Sequence, residues 1–556
     1  MTMRRFATHP TRTSSTLDGL WAFAWVAADG AARRPPRQDP PGMMPVPGAW
    51  ECALEHSHDR GRAWYVRRVE LPEPWPHGAR LVLGAVGHAA VVWVDGREIG
   101  RQHGAHVEAA FTLPPLAAGE HRIAILVDNR FGPANPLADP EQDVFAWGGL
   151  TRSVRLERLH SEVIDEAAFT PVRTRRGWRL RVDAAVRGAR DAAVLVDGQP
   201  IAALPVRRGR VRGEVAIPGA RTWSPQRPDL HLVALTAGAD RVQERIGLRT
   251  IAVRGRRLLL NGRPLRLRGV NRHEFHPDSG PAVPPAVMLK DLAILRRMGA
   301  TFVRGAHYPN DPLFLDLCDE AGLLFWDEVA HWAPGRAQLA DPAFRAASLA
   351  QARAMVRQHR HHPSILCWGF LNEAHTDLPE ARPVVRELAA ACRRLDPTRP
   401  VTYASNRPWT DRCLDLVDIV SFNVYPGWYG GHREAVTAVA LRPLLAVMRR
   451  RSRGKPVIIS EFGAGAMDGV RSFEPRKWTE GYQAELLDAL IAAWESAGFI
   501  CGWAVWQFHD VRTSPELGLK RIREYNNKGV LTEWREPKLA WHHVASWMRR
   551  GRALGR

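Results

Sequence analysis

The amino-acid sequence predicts a multidomain chain. An all-β, jelly-roll-like sandwich spans residues 1–155, an immunoglobulin-like β-sandwich spans 156–250, and a C-terminal (β/α)8 TIM barrel spans 251–556. Three observations lead there. Short β-rich runs broken by Gly, Pro and Asp fill the chain up to about residue 250. From about 251 the rhythm changes to apolar runs alternating with stretches of 3.6-residue period. At 556 residues the chain is also too long for one ordinary core.

The first sandwich is read from "AWYVRRVEL", "RLVLGAV", "AAVVWVDGREIG" and "HRIAILVDN", each bounded by turn residues. The Asp-Gly inside the third is a strong hairpin signal. The second sandwich is read from "WRLRVDAAV", "AAVLVDGQPI" and "LHLVALTA", again with an Asp-Gly turn. Its roughly 95 residues suit a small immunoglobulin-like unit. Eight strand candidates follow: "LRLRGVN", "TFVRGAHYP", "LLFWDE", "ILCWGFLNE", "VTYAS", "IVSFNVYP", "PVIISEFG" and "GWAVWQF". Helical patterns such as "PAVMLKDLAILRRMG" and "YQAELLDALIAAWESAG" separate them, over a length a (β/α)8 barrel requires.

Composition narrows the function classes. Hydrophobic residues at 45% and charged residues at 24% are those of a soluble globular protein. No apolar run reaches the roughly 18 residues of a membrane-spanning helix, so no membrane association is expected. The N-terminal stretch lacks a continuous apolar core, which argues against a secretory signal. Six dispersed cysteines without a C-x-x-C pair read as reduced, buried thiols and suit a cytoplasmic protein. The net charge of +20 rests on arginines scattered through every segment, so no nucleic-acid partner is expected; the field would favour acidic substrates. No phosphate-binding, dinucleotide or nucleophile-elbow motif is present, and no cofactor is expected. The histidines of "HRHHP" (359–363) and the group His273, Glu274 and His276 are read as packing residues, with no metal.

Chemistry in such a barrel belongs at the C-terminal ends of its strands. The first strand ends at Asn271-Arg272-His273-Glu274, and the second runs into Arg304 and His307. The third ends at Asp327-Glu328, the fourth at Asn372-Glu373, and the sixth at Asn423 and Tyr425. Glu461 ends the seventh, and Trp506-Gln507 the eighth. Carboxyl groups on the fourth and seventh strands would face each other across the mouth. Such a pair can run retaining glycoside hydrolysis, one as nucleophile and one as proton donor. Glu373 follows Trp368 and Phe370, an apolar setting that raises a carboxyl pKa. Tyr425 is placed to hydrogen-bond Glu461 in its ionised form. A single glutamate at a strand end is equally well explained as a helix cap, so the pair carries the argument.

At these residues the sequence resembles glycoside hydrolase family 2. "RHHPSILCWGFLNE" (360–373) is similar to that family's acid/base signature, and "GATFVRGAHYPND" (299–311) to its second signature. "PVIISEFGA" (456–464) is similar to its nucleophile segment. The resemblance spans the whole chain and its domain order. It implies Glu373 as acid/base, Glu461 as nucleophile, and sugar contacts from His307 and Asn372.

Within the family the details resemble the β-glucuronidases. "YNNKG" (525–529) carries the Asn-x-Lys element, which implies that Asn526 and Lys528 hold the carboxylate of a uronic acid. "NVYPGWYGG" (423–431) implies Tyr425 against the nucleophile and Tyr429 nearby. "VWQFHD" (505–510) implies Trp506 against the sugar, and "DVFAWGGLTRSV" (143–154) implies that Asp143 reaches into the site. Arg521 and Arg523 stand in for an arginine expected just before Asn-x-Lys. The expected activity is a retaining exo-hydrolysis of β-D-glucuronides, small or oligosaccharide, by a homo-oligomeric enzyme. A β-galacturonidase, a neutral-sugar β-glycosidase and a non-catalytic carbohydrate-binding protein are the alternatives. The short segment after the third strand predicts an open site that suits large leaving groups.

Overall fold

The computed structural model describes residues 14–26, 34–132 and 142–553. At the N-terminus a six-stranded antiparallel sheet is centred on Arg62–Leu71 and Gly119–Asp128. It packs on a four-stranded sheet centred on Ala79–Leu83 and Val154–Arg158. Tyr65, Val92 and Ile125 from the first meet Leu81, Phe111 and Leu156 from the second in one apolar core.

The second sandwich shows how alternation makes a two-faced strand. In Gly177–Arg187, Trp178, Leu180, Val182, Ala184 and Val186 are buried while the residues between them point outward. Both Asp-Gly hairpin signals hold. Asp95 and Gly96 (φ +50° and +78°) join Ala89–Val94 to Arg97–His103. Asp197 and Gly198 (φ +51° and +85°) join Asp191–Val196 to Gln199–Arg207. Two consecutive positive φ values match the right-handed twist of the flanking strands.

Eight parallel strands then close a barrel: β1 (Leu267–Arg272), β2 (Phe302–Gly305), β3 (Leu324–Glu328), β4 (Ile365–Asn372), β5 (Val401–Ser405), β6 (Val420–Asn423), β7 (Val457–Glu461) and β8 (Ile500–Val505). Closure comes from β1 pairing with β8, Leu267 opposite Gly502 through Val270 opposite Val505. An α-helix of at least ten residues follows every strand except β5, whose connection to β6 holds only the 3-10 turn Leu414–Leu416. That connection is therefore a loop over the rim of the mouth. At the opposite end, Trp223, Leu258 and Leu260 pack against Leu267, Phe302, Leu324, Ile419 and Ile458 and plug the barrel. None of the described helices is long and apolar enough to cross a membrane.

The N-terminal sandwich lies against the mouth. Arg152 donates to Glu274 Oε2 at 2.7 Å and to the Pro309 carbonyl at 2.8 Å. Phe145 and Trp147 pack with Phe275 and Val511. These contacts fix residues 142–152, and Asp143 with them, over the barrel.

Candidate active site

The strand ends converge on a buried arginine. Arg304, in β2, is fully buried, and a guanidinium there must have its donors met. Its Nε and Nη2 donate to the two Glu328 oxygens at 2.9 and 2.8 Å. Nη1 reaches Asn271 Oδ1 at 3.0 Å and Glu461 Oε1 at 2.6 Å, and Nη2 also meets Asn372 Oδ1 at 3.0 Å. Burial opposes its charge, yet Glu328 and Glu461 raise its pKa above the usual arginine value. It is a fixed cation around which the strand ends are ordered.

Glu461 ends β7 and is nearly inaccessible. Its second oxygen accepts from the Tyr425 hydroxyl at 2.7 Å. Burial, and then the Glu461 charge, hold the Tyr425 phenol well above its usual pKa, so it remains a neutral donor. One charged and one neutral donor thus hold the two carboxylate oxygens in place.

Glu373, just past β4, is half-buried, with a left-handed φ of +51°. Left-handed backbone in a non-glycine residue costs on the order of 1–3 kcal/mol and recurs at functional sites. Its oxygens accept from Asn423 Nδ2 at 2.9 Å and Asn406 Nδ2 at 3.1 Å. Burial, and after it the charge of Glu461, push its pKa up to about 7, against the Asn423 hydrogen bond and Arg304. Glu373 therefore holds a proton close to neutral pH.

Both glutamates line one cavity of about 550 Å³, together with Asp143, His307, Tyr425, Tyr429 and Trp506. His307 stacks on Trp506 with ring centroids 5.0 Å apart. Burial, and then Arg304, bring its pKa down to about 3, so its imidazole is neutral.

The side facing the N-terminal sandwich is electrostatically different. Asp143 pairs with Arg521, Nε to Oδ1 at 2.5 Å, and its other oxygen accepts from Asn526 Nδ2 at 2.9 Å. Burial works against the Asp143 charge, but Arg521 and Lys528 outweigh it and hold the pKa below the usual carboxylate range. Lys528 is buried, with its Nζ 3.5 Å from Asn526 Oδ1 and 5.2 Å from the centroid of the cavity-lining Tyr429. No carboxylate among the described residues lies within ion-pair distance of it.

Seven of the ten residues singled out in the sequence thus reach the cavity wall. Asn372, Asn526 and Lys528 are buried beside it and do not line it. The Asn372 amide nitrogen finds no partner among the described residues. Arg521 lines the cavity, whereas Arg523 turns away to Glu533. The sequence reading gave no role to Asn406, Trp332 or Trp409. Asn406 and Trp409 follow β5, and strand-end position alone would have flagged Asn406. The histidines of the 359–363 segment pack inside the fold: His359 contacts Asp327 at 2.6 Å, and His361 accepts from the Phe169 amide at 3.1 Å. Among the described residues one possible metal-ligand group, Asp316, Asp319 and His362, lies away from the cavity. Arg245, 2.6 Å from Asp316, already supplies its cation.

Residues 251–549 match the family model for glycosyl hydrolases family 2, TIM barrel domain, and residues 14–160 match its sugar binding domain. A beta-glucuronidase from Paenibacillus borealis is 30% identical, the match covering 95% of this chain and 96% of the relative. One from Rattus norvegicus is 29% identical, covering 96% and 90%. Among solved structures, a beta-galacturonidase from Eisenbergiella tayi bound to galacturonate is 35% identical. It superposes with a TM-score of 0.91 over 98% of this chain and 99% of that one. A Ruminococcus gnavus beta-glucuronidase, 24% identical with a TM-score of 0.89 over 98% and 99%, has the same fold.

Proposed function

The chain belongs to glycoside hydrolase family 2 and is a glycoside hydrolase; from that premise we propose that it is a retaining exo-β-glucuronidase. The observation that carries the sugar's identity is Lys528, a buried ammonium with no carboxylate partner among the described residues. Its hydrogen-bond partner is the neutral Asn526 side-chain oxygen, and a sugar carboxylate arriving beside it makes a charge-assisted hydrogen bond in that place. Asn526, whose amide nitrogen also donates to Asp143, sets a neutral donor beside the same group.

Glu461, held by the Arg304 and Tyr425 hydrogen bonds, attacks the anomeric carbon while Glu373 protonates the departing oxygen. Forming the glycosyl-enzyme ester neutralises Glu461. Because that charge is one cause of the raised Glu373 pKa, its loss lowers the pKa. Glu373 then acts as the base that activates water for the second displacement. The Asn372 amide nitrogen, without a partner among the described residues, is a donor next to Glu373 for a sugar hydroxyl. Six free cysteines, five of them buried, suit a cytoplasmic setting.

A second reading, β-galacturonide hydrolysis, is favoured by the 35% identity to the Eisenbergiella tayi beta-galacturonidase. The two sugars share the carboxylate and differ at C4. A panel of p-nitrophenyl β-glycosides separates the readings. The expected result is preference for the glucuronide over glucoside, galactoside and mannoside. Preference for the galacturonide supports the second reading, and preference for a neutral sugar ends both.

A further inference from the structure

Beside the catalytic cavity lies a second groove, of about 650 Å³, and Trp409 lines both. Trp409 is 53% exposed, too open to be a core residue. The groove's floor carries Arg412, Arg450, Arg451 and Arg453. Its acids are largely committed elsewhere: Asp377 pairs with Arg407 at 2.6 Å and Asp415 with Arg382 at 2.6 Å. Asp411 is buried, and burial foremost raises its pKa. Arg412, Arg450 and Arg453 are exposed and have no carboxylate partner among the described residues. The groove is therefore net positive and shares its Trp409 wall with the catalytic cavity.

Its direction follows from Glu373. A proton donor must sit on the leaving-group side of the scissile bond. Asn406, bonded to Glu373, begins the same β5–β6 loop that carries Trp409 and Arg412. The groove thus adjoins the leaving-group side through the loop that carries Asn406 and Trp409.

We propose that this groove binds the leaving-group portion of an acidic oligosaccharide, with the first leaving sugar stacked on Trp409 and the carboxylates beyond it on Arg412, Arg450 and Arg453. The proposal rests on the uronidase reading and names its substrate class: a terminal uronosyl residue cut from a chain that itself carries uronates. Ring-on-indole stacking tolerates many sugars, and the arginines select for charge.

The test compares kcat/KM on three substrates: p-nitrophenyl β-glucuronide, a β-glucuronosyl oligosaccharide bearing further uronates, and a neutral one of equal length. Arg412→Ser/Arg450→Ser/Arg453→Ser is expected to lower the acidic oligosaccharide's value on the order of tenfold. Aryl and neutral-oligosaccharide cleavage should stay within about twofold. The wild-type preference for the acidic chain should shrink with added salt. Trp409→Ala should weaken both oligosaccharides more than the aryl substrate. Equal loss on all substrates, or no loss on the acidic one, would overturn the proposal. Calorimetric binding of a uronate oligosaccharide to the wild type and the triple variant reads the groove without turnover. Failure of the uronidase reading, seen as no aryl-glucuronide cleavage by the wild type, is therefore distinguishable from failure of the groove, seen as equal binding by both.

Discussion

The two ends of the barrel are made by the same eight strands and are equally buried, yet their chemistry is opposite. At the N-terminal end Trp223, Leu258, Phe302, Ile419 and Ile458 form an apolar plug. At the C-terminal end, within one or two turns of chain, Arg304, Glu328, Asn271, Asn372, Asn423 and Glu461 form a hydrogen-bonded network. The plug gains stability simply by leaving water. The network gains little net stability, because burying its charges offsets their attraction. What it supplies is order: each carboxylate is fixed before substrate arrives. Substitutions at the two ends should therefore separate activity from stability.

The largest effect belongs to the mouth. Glu461→Ala should lower kcat by at least about four orders of magnitude on any leaving group, since no other group can form the ester. Its unfolding midpoint should stay close to the wild type's. A good leaving group that restores turnover would show that the nucleophile lies elsewhere.

Glu373→Ala should fall by about 10²–10⁴ on poor leaving groups and recover substantially on activated aryl glucuronides, which need little protonation. The same residue sets the pH dependence. A proton donor with a pKa of about 7 is active below it, so kcat/KM should decline as pH rises through about 7. In Glu373→Ala that alkaline limb should vanish. A limb that persists unchanged would assign it to another group.

The plug behaves the other way. Trp223 is fully buried and donates to the Asp319 carbonyl at 2.9 Å. Trp223→Ala should cost about 3–5 kcal/mol in stability, read from denaturant unfolding, while kcat per folded molecule stays within about twofold. A large fall in kcat without loss of stability would break the contrast between the ends.

The smallest effect sharpens the contrast within the mouth. Asn423 hydrogen-bonds ionised Glu373 and lowers its pKa. Asn423→Ala removes that bond, so the alkaline limb should move to higher pH. Movement to lower pH would reverse the assigned sign.

Much of this was legible in the chain. The β-rich run "WRLRVDAAV" predicted a strand where Gly177–Arg187 forms one, and Asp-Gly at 95–96 and 197–198 predicted the hairpins, because both signals are local. Glu373 and Glu461 stood out because strand-end position is enough to converge side chains on a barrel mouth. The pairing of Arg521 with Asp143 was not legible: 378 residues separate them, and only the docking of sandwich on barrel joins them. Nor was the shared groove wall at Trp409. Its role depends on the missing helix after β5, and a single loop tryptophan carries no pattern.

If the mouth recognises a uronate through Lys528, the glucuronide-to-glucoside ratio of kcat/KM reads that contact. Lys528→Ala removes a charge-assisted hydrogen bond and leaves the substrate anion unpaired. That should cost roughly 2–5 kcal/mol on the glucuronide, about 30- to several-thousand-fold. The glucoside has no carboxylate and should lose little, so the ratio should collapse. A folded Lys528→Ala enzyme that keeps the wild-type ratio would show that Lys528 does not hold the sugar carboxylate.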